Sequence, residues 1–250
     1  MSSKKRLDLL TVERGLAPSR ERAKALIMAG RIMVDGMPLS KPGVSVSQDA
    51  QLERKGEDLP YVSRGGLKLQ AAMDAFHPPV KGAVCLDVGA STGGFTDCLL
   101  RHGARKVYAV DVGYGQLAWK LQQDSRVVSM EKTNARHLKP DDFSEPIDLA
   151  TIDAAFISLK VLAPALLPCL KPRAALIALI KPQFEVGRGQ VGKGGVVRDP
   201  QQHAMVIDDL STFFQSLQFD IRGRCPSPIR GPKGNREFFI RLRFDDDAEK

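Results

Sequence analysis

The chain has 250 residues, 43% of them hydrophobic and 26% charged, with a net charge of +8. That is the balance of an ordinary globular chain of one or two domains. Its longest apolar run, residues 161–170, falls well short of the roughly 18 residues that suggest a membrane span, so no membrane partner is expected.

The opening residues lack the apolar core of a signal peptide. Cys85, Cys98, Cys169 and Cys225 form no Cys-x-x-Cys pair and have apolar neighbours. They are expected as reduced, buried thiols of a cytoplasmic protein. His77, His102, His137 and His203 show no ligand spacing, so no metal is expected. The basic excess favours an anionic partner such as nucleic acid. Oligomeric state is not readable from the residues.

Residues 1–60 read as a first unit. Arg6-Leu-Asp-Leu-Leu-Thr-Val-Glu-Arg14 has helical spacing. A second helix follows Pro18, with Ser19 as N-cap, Ala23, Leu26 and Ile27 as its buried stripe, and Gly30 at its end. Ile32-Met-Val34 then meets Asp35-Gly36, a hairpin turn signal, and a further extended piece. Ala50-Gln-Leu-Glu-Arg54 reads as another short strand, giving a small α+β domain. Residues 1–31 hold a net charge of +5, and residues 32–60 a net of −2. The positive half reads either as a phosphate-facing helical surface or as a solvated one.

The run Ser19-Arg-Glu-Arg-Ala-Lys-Ala-Leu-Ile-Met-Ala-Gly30-Arg-Ile-Met-Val-Asp-Gly36 resembles the small RNA-binding domain named after ribosomal small-subunit protein S-four. The resemblance implies RNA docking by Arg6, Arg20, Arg22, Lys24 and Arg31. Residues 59–63 look like a linker, since Pro60 stops a helix from running through them.

Residues 61–250 alternate apolar runs with amphipathic stretches. Strands are predicted at 83–88, 106–111, 126–130, 147–152, 174–180 and 237–244, and helices include 95–102, 157–170 and 200–217. Such alternation predicts an α/β fold, with a mostly parallel sheet covered by helices on both faces and ligands beyond the carboxyl ends of its strands.

The first strand-to-helix junction reads Cys85-Leu-Asp87-Val-Gly89-Ala90-Ser91-Thr-Gly93-Gly94-Phe95. Its glycines allow a tight turn and close backbone approach to a ligand. Ser91 breaks the dinucleotide fingerprint Gly-x-Gly-x-x-Gly. The pattern Asp-x-Gly-x-x-x-Gly-Gly is instead similar to Rossmann-like methyltransferases. That likeness implies S-adenosyl-L-methionine as cofactor, wrapped by this turn, with Asp87 helping to place its ammonium group. Asp111, 24 positions after Asp87, ends the next strand beside Val112, where an acid can accept from both cofactor ribose hydroxyls. Asn134 follows the third strand and reads either as an adenine contact or as a helix N-cap.

Lys68 stands just before the sheet in Ser63-Arg64-Gly-Gly-Leu-Lys68-Leu, Asp153 and Lys181 close the fourth and fifth strands, and Glu237 opens the last. Taken singly, each has a bland reading as a solvated strand-end residue. Together they resemble the Lys-Asp-Lys-Glu tetrad of FtsJ-type 2′-O-ribose methyltransferases. The resemblance implies that Lys181 draws the proton from, or polarises, a ribose 2′-hydroxyl. Lys68 would lower the pKa of Lys181, and Asp153 and Glu237 would raise it. Base and orienting cation stay open.

The two units together, with Ile180-Lys-Pro-Gln-Phe-Glu185 and Gly234-Asn-Arg-Glu-Phe238, resemble the TlyA family, whose members are often labelled haemolysin. Membership implies ribosomal RNA or ribosomal subunits as partner, with cytidine of 16S or 23S RNA as target. Two alternatives remain: an RNA-binding or assembly protein with an inactive methyltransferase fold, and a membrane-active haemolysin.

The run Gly187-Arg-Gly-Gln-Val-Gly192-Lys193-Gly194-Gly195 lacks the hydroxyl residue of a P-loop at position 194. It reads better as a mobile loop over an RNA site. Arg222, Arg224, Arg230, Lys233 and Arg236 read as a basic loop near Glu237, stiffened by Pro226, Pro228 and Pro232. Arg64, Lys193, Arg230 and Arg236 join the candidate RNA contacts.

Overall fold

The computed structural model describes residues 3–28, 30–55, 60–187, 189–231 and 233–245. It divides into two compact units, 1–58 and 59–250. Leu59 of the predicted linker, Arg188 of the glycine-rich run and Pro232 lie outside the described residues.

The first unit runs β1 (Lys4–Arg6), α1 (Leu7–Glu13), α2 (Arg20–Met28), β2 (Ile32–Val34), β3 (Met37–Pro38), β4 (Ser45–Ser47) and β5 (Leu52–Arg54). Ser19 caps α2 as expected, its Oγ accepting from Arg22 N at 3.2 Å. Asp35 and Gly36 both hold positive φ, 49° and 80°, the geometry a two-residue hairpin turn requires. The sheet order is β3-β2-β5, and β1 pairs with β4 in a separate antiparallel ribbon. β1 has no signature in the sequence, because Lys4-Lys-Arg6 carries no apolar alternation. Leu7, Leu10, Ala23, Leu26, Ile27 and Ile32 close the core.

The second unit opens with α3 (Arg64–Phe76), then β6 (Val84–Val88), α4 (Gly94–Arg101), β7 (Lys106–Val110), α5 (Trp119–Gln122), β8 (Val127–Met130) and β9 (Ile147–Ile152). It continues with α6 (Leu159–Leu166), β10 (Leu170–Ile180), α7 (Pro182–Glu185), α8 (Pro200–Ser216), β11 (Phe219–Pro226) and β12 (Phe238–Phe244). The sheet order is β11-β12-β10-β9-β6-β7-β8. The five strands from β10 to β8 are parallel, and β12 runs antiparallel to both of its neighbours, β10 and β11.

Strand periodicity sorts the core into two faces. Along β10, Leu176, Ala178 and Ile180 pack toward α6 and α8, through Leu162 and Leu210. Ala175, Ile177 and Leu179 pack toward α3 and α4, through Leu69 and Leu99. Helices therefore cover both faces, as predicted.

The stretch before the sheet that carries Lys68 is helix α3: Leu69, Ala72, Met73 and Phe76 form a buried stripe, but Gly65-Gly66 weakens the helical signal. Two expectations change. Arg222 and Arg224 lie on the edge strand β11, not in a basic loop, and are paired with Asp220 and Asp208. Cys225 is half-buried, whereas Cys85, Cys98 and Cys169 are buried as expected. Among the described residues no helix is long and apolar enough to cross a membrane, and no cluster of metal-ligating side chains occurs.

Candidate active site

A cavity of about 320 Å³ opens where β6 gives way to α4. One wall is the glycine turn: Gly89, Ala90, Ser91, Thr92, Gly94 and Phe95. The other is Ser63, Arg64, Gly65 and Lys68 of the α3 start, with Asp153, Ile229 and Arg230.

Glycine is required at two places. Gly89 holds φ +84°, and a Cβ there would lie 2.7 Å from Asp153 O. At Gly94 a Cβ would meet Ser63 Oγ at 2.3 Å and Gly66 N at 2.8 Å. The starts of α3 and α4 thus touch through backbone. Replacing either glycine fills the cradle or forces its walls apart.

Beneath the turn Asp87 is fully buried. Thr96 Oγ1 donates to its Oδ2 at 2.7 Å and Thr151 Oγ1 to its Oδ1 at 3.1 Å. Burial pushes its carboxyl up to about 7, against the pull of the two hydroxyls. Asp87 therefore braces β6, α4 and β9 from below and does not line the cavity.

Asp111 organises the turn from the next strand. Its Oδ2 accepts from Ser91 N at 2.8 Å and its Oδ1 from Gly113 N at 2.7 Å. Val112 beside it is 71% exposed, an uncovered apolar surface. Asn134 Oδ1 accepts from Arg136 N at 3.1 Å, so this side chain caps a short 3-10 helix over Ala135–His137. Lys120 of α5 reaches Asp97 of α4 at 3.0 Å, and Asp97 Oδ2 also accepts from Val62 N at 2.9 Å. Asp97 escaped the sequence reading because an acid in a first helical turn usually reads as a dipole partner.

The four polar residues Lys68, Asp153, Lys181 and Glu237 form two ion pairs. Lys68 Nζ meets Glu237 Oε2 at 2.6 Å, with both groups buried. Lys181 Nζ meets Asp153 Oδ1 at 2.5 Å. Beside Asp153 stands Phe156, 90% exposed and at φ +64°, its ring 5.1 Å from that of Phe184. Neither aromatic carried a sequence signal, since single phenylalanines read as core.

The glycine-rich run is latched where it approaches Glu237. Buried Asn235 donates from Nδ2 to Gly195 O at 2.9 Å and accepts at Oδ1 from Val197 N at 3.0 Å. Gly192 and Val196 form a bridge, leaving Lys193 exposed between them. A buried amide thus satisfies the backbone of Gly195 and Val197. Arg236 is exposed beside Glu237, whereas Arg64 and Arg230 line the cavity.

In the first unit, buried Asp8 gathers two of the expected RNA contacts. Arg6 Nη2 lies 2.9 Å and Arg20 Nε 3.0 Å from Asp8 Oδ2. The Arg6 hydrogen bond, helped by Arg20 and opposed by burial, holds the Asp8 carboxyl well below the usual carboxylate range. Arg6 and Arg20 therefore stitch β1 and α2 to α1 while staying half-exposed. Lys24 is half-buried on α2. Burial, with the charges of Arg22 and Arg31, pulls the Arg54 guanidinium below its ordinary value. Those three arginines thus stand near one another, a grouping that the separation of Arg54 in sequence concealed.

Two family models match the chain: FtsJ-like methyltransferase over residues 61–244 and S4 domain over residues 5–52. A Bacillus subtilis relative, YqxC, is 50% identical over 250 residues, covering 100% of this chain and 89% of its own, and its name makes it a candidate rRNA methyltransferase. A Mycobacterium tuberculosis relative is 48% identical over 248 residues, covering 99% of this chain and 92% of its own. It is named 16S/23S rRNA (cytidine-2′-O)-methyltransferase TlyA. A solved structure from Streptococcus thermophilus, described as a candidate hemolysin, superposes with a TM-score of 0.77. It is 44% identical and covers 98% of this chain and 90% of its own.

Proposed function

Because the chain belongs to the FtsJ-like methyltransferases, and over its whole length to the TlyA family, we propose that it methylates a ribose 2′-hydroxyl of ribosomal RNA with S-adenosyl-L-methionine as donor. The relatives' names point to cytidine as the target nucleoside. The observation that carries the reading is the Lys181–Asp153 ion pair, whose Asp153 lines the same cavity as the glycine turn.

The cavity fits the donor chemically. Its wall at Gly89 and Gly94 is bare backbone, which allows residues 89–95 a close approach to a methionine moiety. Asp111 and Val112 would take the ribose and one face of the adenine, and Asn134 would add an edge contact if its cap loosened. S-adenosyl-L-methionine supplies a methyl group on a positively charged sulfonium.

The chain's own residues must align the hydroxyl and take its proton. An ammonium held 2.5 Å from a carboxylate is a donor. Lys181 Nζ therefore orients the 2′-oxygen and stabilises the charge that develops on it. Asp153 is the proton acceptor within reach. Lys68 and Glu237, buried and mutually satisfied, fix the wall opposite the turn. Phe156 offers an exposed aromatic face for a base pulled out of its stack. Arg64, Arg230, Lys193 and Arg236 would hold the backbone around it. Arg22, Arg31 and Arg54 give the S4 domain its phosphate-facing group, joined by Lys24 and the exposed sides of Arg6 and Arg20.

The test is to map 2′-O-methyl groups on ribosomal RNA from cells with and without this chain, and on purified subunits incubated with it and the donor. One or a few ribose positions methylated only in its presence are expected. An identical map in both arms overturns the reading.

A further inference from the structure

The segments that follow Asp153 and Lys181 leave neighbouring parallel strands, β9 and β10, and are joined at three levels. At the strand ends Lys181 Nζ meets Asp153 Oδ1 at 2.5 Å. Further on, the rings of Phe156 and Phe184 stand 5.1 Å apart. At the far end Ser158 Oγ donates to Glu185 Oε2 at 2.6 Å, and Leu159 N donates to Glu185 Oε1 at 2.9 Å. Ser158 Oγ also accepts from Lys160 N at 3.1 Å, capping α6. Both oxygens of Glu185 are thus engaged by the first turn of α6, and Glu185 does not line the cavity.

The loop so tied is not one that holds itself. Phe156 sits at φ +64°, a left-handed conformation that an aromatic residue adopts only when its surroundings impose it. Ala154 and Ala155 offer no polar side chain to fix it. A charged acceptor that binds a hydroxyl and an amide at a helix start is a strong anchor.

We propose that Glu185 is a positioning residue for methyl transfer: by pinning the start of α6 to the segment after Lys181, it keeps Asp153 in register with Lys181 and Phe156 in its exposed pose. The inference rests on the reading of Lys181 and Asp153 as the transfer pair. Glu185 does not line the cavity, so its removal is expected to act on kcat and on the RNA KM, not on donor affinity.

The experiment compares wild type, Glu185→Gln, Ser158→Ala and the double variant in methyl transfer to ribosomal subunits. Donor affinity is read by equilibrium dialysis with S-adenosyl-L-methionine, and amide hydrogen exchange is followed over residues 153–159. Gln keeps the volume but presents an amide donor to groups that themselves donate. Glu185→Gln is expected to lower kcat on the order of tenfold or more and to speed exchange in that segment, with donor affinity within about twofold of wild type. Ser158→Ala moves the same readouts in the same direction, and the double variant is no worse than Glu185→Gln alone.

Unchanged kcat in folded Glu185→Gln overturns the proposal. So does a loss confined to donor affinity, or fully additive losses in the double variant. Should Glu185→Gln fail to fold, Ser158→Ala decides alone, and unchanged kcat and exchange there overturn it. A wild-type chain that transfers no methyl overturns the methyltransferase reading itself, and the positioning role falls with it. An active wild type with an equally active Glu185→Gln sinks only the positioning role.

Discussion

The glycine turn and the two ion pairs border one cavity but are built by opposite means. The turn is backbone: residues 87–95 are contiguous, and its cradle exists because Gly89 and Gly94 lack a side chain. The pairs are side chain: Lys68 and Glu237 are 169 positions apart, and Lys181 and Asp153 are 28 apart. A surface made of backbone is written as one string of small residues. A charge pair is written as two scattered polar residues, each with an innocent reading alone. Perturbing the turn should therefore damage binding first, and perturbing the pairs should damage chemistry or stability first.

The largest effect that breaks this comparison open is at Lys181. Lys181→Ala is expected to lower methyl transfer by about a thousandfold or more, the scale on which removing a charge-stabilising donor acts. Donor affinity measured by calorimetry should stay within about twofold. Lys181→Arg keeps a cation that cannot serve as a base. Residual transfer above the Ala level supports the orienting role, and equal loss favours the base.

Gly89→Ala tests whether the two constructions are independent. It forces a Cβ into left-handed backbone 2.7 Å from Asp153 O. Donor affinity should drop on the order of tenfold to a hundredfold, and kcat should fall with it because Asp153 is displaced. A loss in donor affinity alone would show that the turn and the pair move separately.

Lys68→Met leaves Glu237 buried without its cation. A loss of about 3 kcal/mol in denaturant unfolding is expected. Lys68→Met combined with Glu237→Leu should regain much of that stability without regaining activity. Recovery of activity would remove this pair from the site.

The smallest effect concerns Asp87, which links the two constructions from below. Its carboxyl is pushed up to about 7 by burial, against roughly 3.9 in an unfolded chain. A carboxyl raised in this way contributes stability that is fully present below about pH 4 and is lost as pH rises toward 7. Wild type should therefore lose more Tm than Asp87→Asn between pH 4 and 8. Parallel Tm profiles would show that Thr96 and Thr151 already satisfy the charged form.

Much of this molecule could be read before its coordinates. The sheet, its strand ends and the glycine turn were legible because continuous apolar runs and Gly-Gly punctuation are local signals. Helix α3 was hidden by Gly65-Gly66, whose use appears only when the start of α4 packs against them. β11 was hidden because its arginines drew the eye to charge, although Phe219, Ile221 and Cys225 alternate with them. The glycine-rich run read as mobile because the amide that latches it, Asn235, lies 40 positions from Gly195.

By itself the sequence determined the two-unit order, the glycine turn and four candidate polar residues, since each is carried by residues close together or near predicted strands. Only the tertiary structure decided who pairs with whom: Lys68 with Glu237, Lys181 with Asp153, Arg6 and Arg20 with Asp8, and Glu185 with the start of α6. A charge or hydrogen bond is satisfied by whatever partner the fold brings within about 3 Å. That partner is fixed by the packing of distant segments, which no local pattern records.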